Sequence, residues 1–175
     1  MRTYRTRQSG FTLVEILIVV IILGILAAIV IPQFTNASQD ARKNSLTSQL
    51  QTIRSQLELY KLQHKDQLPL TFQTDGVKAT WAEMTKQTDA DHADYTGAAG
   101  QTGPFGPYLQ QDPVNSLNNS ATLLVGTTDY ALGTGAPAGT EGWILNRTDG
   151  KCWATSSKFG FIYNEANASD TNNDL

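Results

Sequence analysis

Hydrophobic and polar positions are segregated along this chain rather than mixed. From Ile16 to Ile31 no side chain is polar, and extending the run back to Phe11 adds only Thr12 and Glu15. As a helix, these 21 positions are about 30 Å long, which matches the hydrocarbon core of a bilayer. The sequence after Pro32 is soluble in character. Within it Leu46, Leu50, Ile53, Leu57 and Tyr60 recur at intervals of 4, 3, 4 and 3, a single apolar stripe on a polar helix that needs a sheet to cover it. A helix from about Phe11 to about Lys65 would be roughly 80 Å long, which predicts a stalk carrying a small head on its far half.

The head reads as short elements. Thr80-Trp81-Ala82-Glu83 has the spacing of a capping box, which predicts a short helix from Trp81 to Gln87. Residues 89–103, with three aspartates and three glycines, read as an exposed loop in which His92 is solvated; His64, at the stalk end, is read the same way. Thr122 to Val125 reads as a strand. Segments 142–148 and 151–157 flank Asp149-Gly150, a hairpin signal that sets Leu145 opposite Ala154 and Arg147 opposite Cys152. Trp143, Leu145, Cys152 and Ala154 then share the face that covers the helix stripe. Residues 159–163 are candidates for an edge strand.

Composition narrows the chemistry. The 175 residues carry 13 Lys+Arg against 16 Asp+Glu, a net charge of -3, the wrong sign for a protein that binds phosphate backbones. No nucleic-acid partner is expected. One cysteine, Cys152, excludes an intrachain disulfide and a cysteine zinc cluster. Its place in a strand beside Trp153 reads as a small buried hydrophobe. No catalytic constellation, phosphate loop or metal-ligand cluster is recognisable, so no enzyme activity, cofactor or metal is expected.

Arg2, Arg5 and Arg7 precede the apolar run with no acid among the first ten residues. By the positive-inside bias the amino end stays in the cytoplasm and the head is exported. The run is too long for the h-region of a cleaved secretory signal and continues past Ala27-Ala28 into Ile29-Val30-Ile31. Glu15 is expensive where it stands, because a carboxylate near the start of a membrane helix needs a partner. In a bundle of such helices an α-amino group at Phe11 would be the complementary unpaired charge.

Gly10-Phe11-Thr12-Leu13-Val14-Glu15, after a short basic leader and opening an apolar run, resembles the class III signal of type IV pilins and type II secretion pseudopilins. The resemblance implies cleavage between Gly10 and Phe11 by a prepilin peptidase, N-methylation at Phe11, and pairing of Glu15 with the amino terminus of a neighbouring subunit. Residues 22–32, including Gly24 and Pro32, resemble the family's membrane segment. Pro32 removes a helix hydrogen bond and predicts a kink or a locally melted stretch over 28–32. Residues 106–115, with Pro107-Tyr108-Leu109, Pro113 and Asn115, resemble the segment that leads into the sheet of major pseudopilins.

The expected fold class is α+β, a long amino-terminal helix packed at its carboxy-terminal half on a small antiparallel sheet, the pilin fold. The expected divisions are a leader over 1–10, a transmembrane and filament-core helix over 11–31, its amphipathic continuation over 32–66, a head over 67–164 and a polar tail over 165–175. The family implies a structural subunit of a type II secretion pseudopilus, anchored in the inner membrane with its head in the periplasm. Its implied partners are copies of itself, the prepilin peptidase, the inner-membrane assembly platform and minor pseudopilins. A type IV pilin for adhesion, motility or DNA uptake is the alternative, weakened by the missing cysteine pair. Major pseudopilins hold calcium late in the chain, but Asp170 to Asp174 lacks the closing glutamate and turn glycine of a good loop and stays outside the expected sites.

Overall fold

A computed structural model describes residues 10–72, 78–130, 140–156, 161–167 and 170. The chain divides into two compact units between Ser38 and Gln39. Helix α1 runs from Leu13 to Gln63. A 3-10 turn, Leu70–Phe72, then strand β1, Lys78–Ala79, and the one-turn helix α2, Ala82–Thr85, follow. Strands β2, Leu123–Gly126, β3, Trp143–Asn146, and β4, Cys152–Ala154, complete the architecture. It is α+β, as the sequence implies.

In the first unit, helix bonding continues unbroken through Pro32, so the melted stretch expected over 28–32 does not form. Thr35 Oγ1 donates to the Ile31 carbonyl at 3.2 Å in the same turn. The carbonyl that Pro32 leaves without its helix donor is that of Ala28, so this bond adds to the turn around the proline and does not replace the lost one.

The second unit is built on the stripe. Leu46, Leu50, Ile53, Leu57 and Tyr60 are all at most 1% exposed, and each contributes about 2 kcal/mol by leaving water. They pack in one core with Phe72, Trp81, Met84, Leu123, Val125 and the expected face of Trp143, Leu145, Cys152 and Ala154. Trp81 and Trp143 meet edge to face at 6.4 Å. Ile144, Trp153 and Ile162 form a second cluster with Leu124 and Tyr130 packed against it. β3 is therefore buried along its whole length, as a central strand covered on both faces must be.

The sheet has the order β1-β2-β3-β4 and is mixed. β1 and β4 pair antiparallel with their neighbours, but β2 and β3 run parallel, Leu123 opposite Trp143 and Val125 opposite Leu145. The fully antiparallel sheet expected from the sequence is corrected at that pair. Residues 127–142 supply the long connection that a parallel pair requires and a hairpin turn cannot.

The β3–β4 hairpin is also corrected in register. Leu145 lies opposite Cys152 and Trp143 opposite Ala154, two residues from the expected pairing. Asn146 N donates to Lys151 O at 2.8 Å, leaving a four-residue loop, 147–150. The Asn146 side chain accepts from Thr148 N, and Asp149 accepts from Lys151 N, at 2.8 and 3.0 Å. These side-chain bonds stabilise the longer loop over the tight two-residue turn. A slip of two preserves which face each residue takes, which is why the expected core face survives.

Asn115 anchors the far end of the sheet. Its Nδ2 donates to the Gly142 and Thr155 carbonyls, both at 2.8 Å, while its Oδ1 accepts from Leu117 N at 2.9 Å. Beyond β4, Tyr163 N donates to Ala154 O at 2.9 Å and Ile162 bridges Thr155. The expected edge strand is present there as single bridges, and Phe159 lies outside the described residues.

Candidate functional site

The first unit presents its chemistry at the start of α1. Gly10 and Phe11 precede the helix and are exposed, Phe11 at 83%. A Cβ built on Gly10 would meet nothing within 4 Å. Both residues flanking this peptide bond thus lie outside the helix and are exposed. Thr12 caps the helix: its carbonyl accepts from Ile16 N at 3.3 Å and its hydroxyl from Glu15 N at 3.2 Å. Glu15 Oε2 in turn accepts from Thr12 N and Thr12 Oγ1, both at 3.0 Å. This is a reciprocal capping box, and its signal, Thr12-x-x-Glu15, is visible in the sequence. The sequence reading assigned Glu15 a charge partner in another subunit and missed the local one.

Beyond the cap, the side chains are apolar and exposed on all sides. Ile16, Val19, Ile22, Ile25 and Ile29 are all at least 51% exposed. Gly24 has open space around it, which lets another backbone approach closely. This is a helix long and apolar enough to cross a membrane.

In the second unit, the two histidines read as solvated are both buried. His64 uses Nδ1 on the Tyr60 carbonyl and Nε2 on Thr88 Oγ1, each at 2.9 Å, and its ring stacks on Tyr60 at 3.8 Å. His92 Nδ1 lies 2.7 Å from Tyr60 Oη, and Nε2 lies 3.2 Å from Gln67 Oε1. Tyr60 Oη donates to Glu83 Oε2 at 3.0 Å, which also accepts from Leu70 N at 2.8 Å. The Glu83 carboxylate is thus engaged by the tyrosine and a backbone amide, and Trp81, at the amino end of α2, receives no side-chain cap. The expected capping box at Thr80 does not form.

Tyr60, Tyr108 and His92 titrate away from their ordinary ranges. Burial, then the charge of Glu83, pushes the Tyr60 hydroxyl far up. Burial pushes Tyr108 up to about 12; its hydroxyl donates to Gln63 Oε1 at 2.5 Å. Burial and the neighbouring His64 hold His92 below the usual histidine value, against the opposing pull of Glu83. The network fastens α1, α2 and the following loop together with its polar atoms consumed internally. Among the described residues no group of three or more His, Cys, Asp or Glu side chains is placed to hold a metal ion. Cys152 is fully buried, and burial pushes its thiol up to about 12, the environment of an inert side chain. Residues 171–174 of the acidic tail lie outside the described residues.

Comparison with known proteins returns to the amino terminus. The family described as "Prokaryotic N-terminal methylation motif" matches residues 5–31. Type II secretion system core protein G of Pseudomonas aeruginosa is 47% identical over 58 residues, 33% of this chain and 41% of that protein. The protein of the same name from Pectobacterium carotovorum is 37% identical over 83 residues, 47% of this chain and 51% of the relative. That of Escherichia coli K12 is 38% identical over 56 residues, 32% of this chain and 39% of the relative. The matched region thus spans about two fifths to one half of these curated relatives. No solved structure matches. The exposed Gly10 and Phe11, the capped Glu15 and the exposed apolar helix thus lie in a prepilin-type amino terminus, carrying the N-terminal methylation motif and homologous to type II secretion system core protein G.

Proposed function

We propose that this chain is a structural subunit of a type II secretion pseudopilus, with no catalytic role of its own. It is made as a membrane precursor, cut between Gly10 and Phe11 by a prepilin peptidase, N-methylated at Phe11, and assembled through its apolar helix into a helical filament that helps export folded proteins. One observation carries this reading: a helix apolar on every side, opened by Gly10-Phe11-Thr12-Leu13-Val14-Glu15. Such a surface is stable in a bilayer or against copies of itself and unstable in water.

The finer parts follow from that reading. Residues 1–10 are the leader, 11–31 the filament-core helix, 32–66 its continuation, 67–164 the head and 165–175 a polar tail. The leader arginines keep the amino terminus in the cytoplasm, with the helix in the inner membrane and the head in the periplasm. Glu15 pairs with the α-amino group of Phe11 in a neighbouring subunit, which fixes axial register. Pro32 kinks the helix. The prepilin peptidase, an inner-membrane assembly platform and minor pseudopilins are the partners. The name shared by the relatives, with the single cysteine, favours this role over a surface pilus for adhesion, motility or DNA uptake.

The test is the mass and sequence of the mature amino-terminal peptide from native membranes. A peptide beginning at methylated Phe11 is expected. One beginning at Met1 or beyond Ala28 overturns the reading.

A further inference from the structure

The second unit settles most of its charges locally. Arg54 meets Glu165 at 2.7 Å, Lys61 meets Glu58 at 3.4 Å, Lys65 meets Asp91 at 2.5 Å and Lys86 meets Asp94 at 3.2 Å. Lys151 holds Asp129 and Asp149 at 2.5 and 2.7 Å. Asp89 and Glu141 accept from nearby backbone amides. Asp40, Arg42 and Asp112 are different: all three are exposed, and among the described residues no hydrogen bond or ion pair engages their charged atoms. Arg42 is tied only through its backbone carbonyl, which accepts from Ser116 Oγ at 3.0 Å.

Asp112 borders a groove of about 210 Å³ between α1 and the segment over 109–114, lined by Gln49, Thr52, Ile53, Asp112, Pro113 and Val114 among others. Besides the amides of Gln110 and Gln111, two acceptors on its lining are unmet among the described residues. One is the Asp112 carboxylate. The other is Gln49 Oε1, a buried oxygen with no hydrogen-bond donor. A buried acceptor without a donor is costly, and Gln49 lines the groove. The matching occupant carries a positive charge, several N–H donors and an apolar stem to lie along Pro113 and the half-exposed Val114. An arginine has all three.

Among the described residues of this unit Arg42 is a cation without a partner, yet it does not line the groove of its own chain. Gln49 lies seven residues further along α1, about two turns or roughly 10 Å. A second copy removes that distance. We propose that Arg42 of one copy docks in the groove of another, its guanidinium on Asp112 with Gln49 Oε1 as a further acceptor. Parallel copies staggered along the α1 direction by no more than about 10 Å bring the groups together. This contact rests on the assembly reading above and adds a head-to-head ionic register to it.

Two measurements test it in cells producing the full-length chain. Charge reversal comes first: Arg42→Glu and Asp112→Arg should each lower the yield of filaments recovered from the cell envelope at least tenfold, and the double variant should recover to within about threefold of the unsubstituted chain. Asp40→Arg, outside the contact, should assemble normally. Cross-linking comes second. Arg42→Cys and Asp112→Cys variants produced together and treated with a short bismaleimide should give at least five times more covalent dimer than either alone, Cys152 being buried. Unsubstituted chain that forms no filaments overturns the assembly reading, and this contact with it. Normal filaments, with no loss on reversal and no heterotypic cross-link, overturn this contact alone.

Discussion

Glu15 accepts from both the backbone N–H and the hydroxyl of Thr12, each at 3.0 Å, so the carboxylate that opens the apolar helix is also its amino-terminal cap. The proposed pairing with a neighbouring amino terminus therefore starts from a hydrogen-bonded carboxylate, not a bare one. Assembly exchanges or supplements local bonds and does not rescue an isolated charge.

Two substitutions separate the cap from the charge. Glu15→Gln keeps an acceptor for Thr12 and loses the charge, whereas Glu15→Val loses both, at a capping cost of about 1 kcal/mol. Both variants should be processed at Gly10 with normal efficiency, read by amino-terminal mass. Both should lose at least tenfold in filament yield. Normal filaments from Glu15→Gln would reduce Glu15 to a cap.

The buried His92 predicts a pH dependence with a definite sign. Its folded pKa lies below the ordinary value of 6.5, so between the two values the unfolded chain binds more protons. Stability is full above about 6.5, falls as pH drops below it, and levels off once the pH passes under the folded value. Urea midpoints of detergent-solubilised chain at pH 7.5, 6.0 and 5.0 (about these values) should fall in that order, and the slope should shrink in His92→Gln. An unchanged slope in that variant removes His92 as its source.

Arg54 binds Glu165 through two bonds, at 2.9 and 2.7 Å, and donates twice to the Cys152 carbonyl, at 3.0 and 2.8 Å. The pair is partly exposed, so a double-mutant cycle between Arg54→Ala and Glu165→Ala should give a coupling of only about 1 kcal/mol. Arg54→Ala alone should cost more than Glu165→Ala, since it also strips the Cys152 carbonyl of its donors. Equal single effects would show that those backbone bonds carry no weight.

Gly142 is irreplaceable for lack of space. An added Cβ would lie 2.0 Å from the Ser120 carbonyl oxygen and 2.8 Å from its carbon, backbone atoms held in place by the Asn115–Ser120 bridge. Gly142→Ala should cost about 3 kcal/mol or more and lower accumulation of the chain. Gly126→Ala, where nothing lies within 4 Å, should change stability by less than about 1 kcal/mol. Thermal melting of the two variants side by side decides it.

Cys152 should be silent in the folded chain. With its thiol fully buried and pushed up to about 12, maleimide labelling at pH 7 should be at least a hundredfold slower than in urea. Fast labelling without denaturant would mean that β4 opens locally.

Where the chemistry is local, the residues announce the structure. The 4-3-4-3 spacing from Leu46 to Tyr60 dictates one buried helix face, and that face is buried. Period-two alternation in β3 and β4 places Trp143, Leu145, Cys152 and Ala154 together whatever the loop does, because an even slip leaves every side chain on its own face. The cap at Thr12 is equally legible from Thr12-x-x-Glu15, because both partners lie within one turn. The histidines were not legible. His64 and His92 sit in polar surroundings in sequence, and only folding brings Tyr60, Gln67 and Thr88 to their ring nitrogens.

The sequence by itself determined the apolar amino-terminal helix, the N-terminal methylation motif that opens it, the amphipathic face beyond it and the α+β class, because each depends on residues within a few turns or one strand of each other. Tertiary structure decided the parallel pairing of β2 with β3, the four-residue loop at 147–150, the burial of the histidine network and the groove beside Asp112. Those features join positions tens of residues apart. Their free energy comes from closing the core over α1, a balance of buried area, satisfied polar groups and connection length that no local pattern contains.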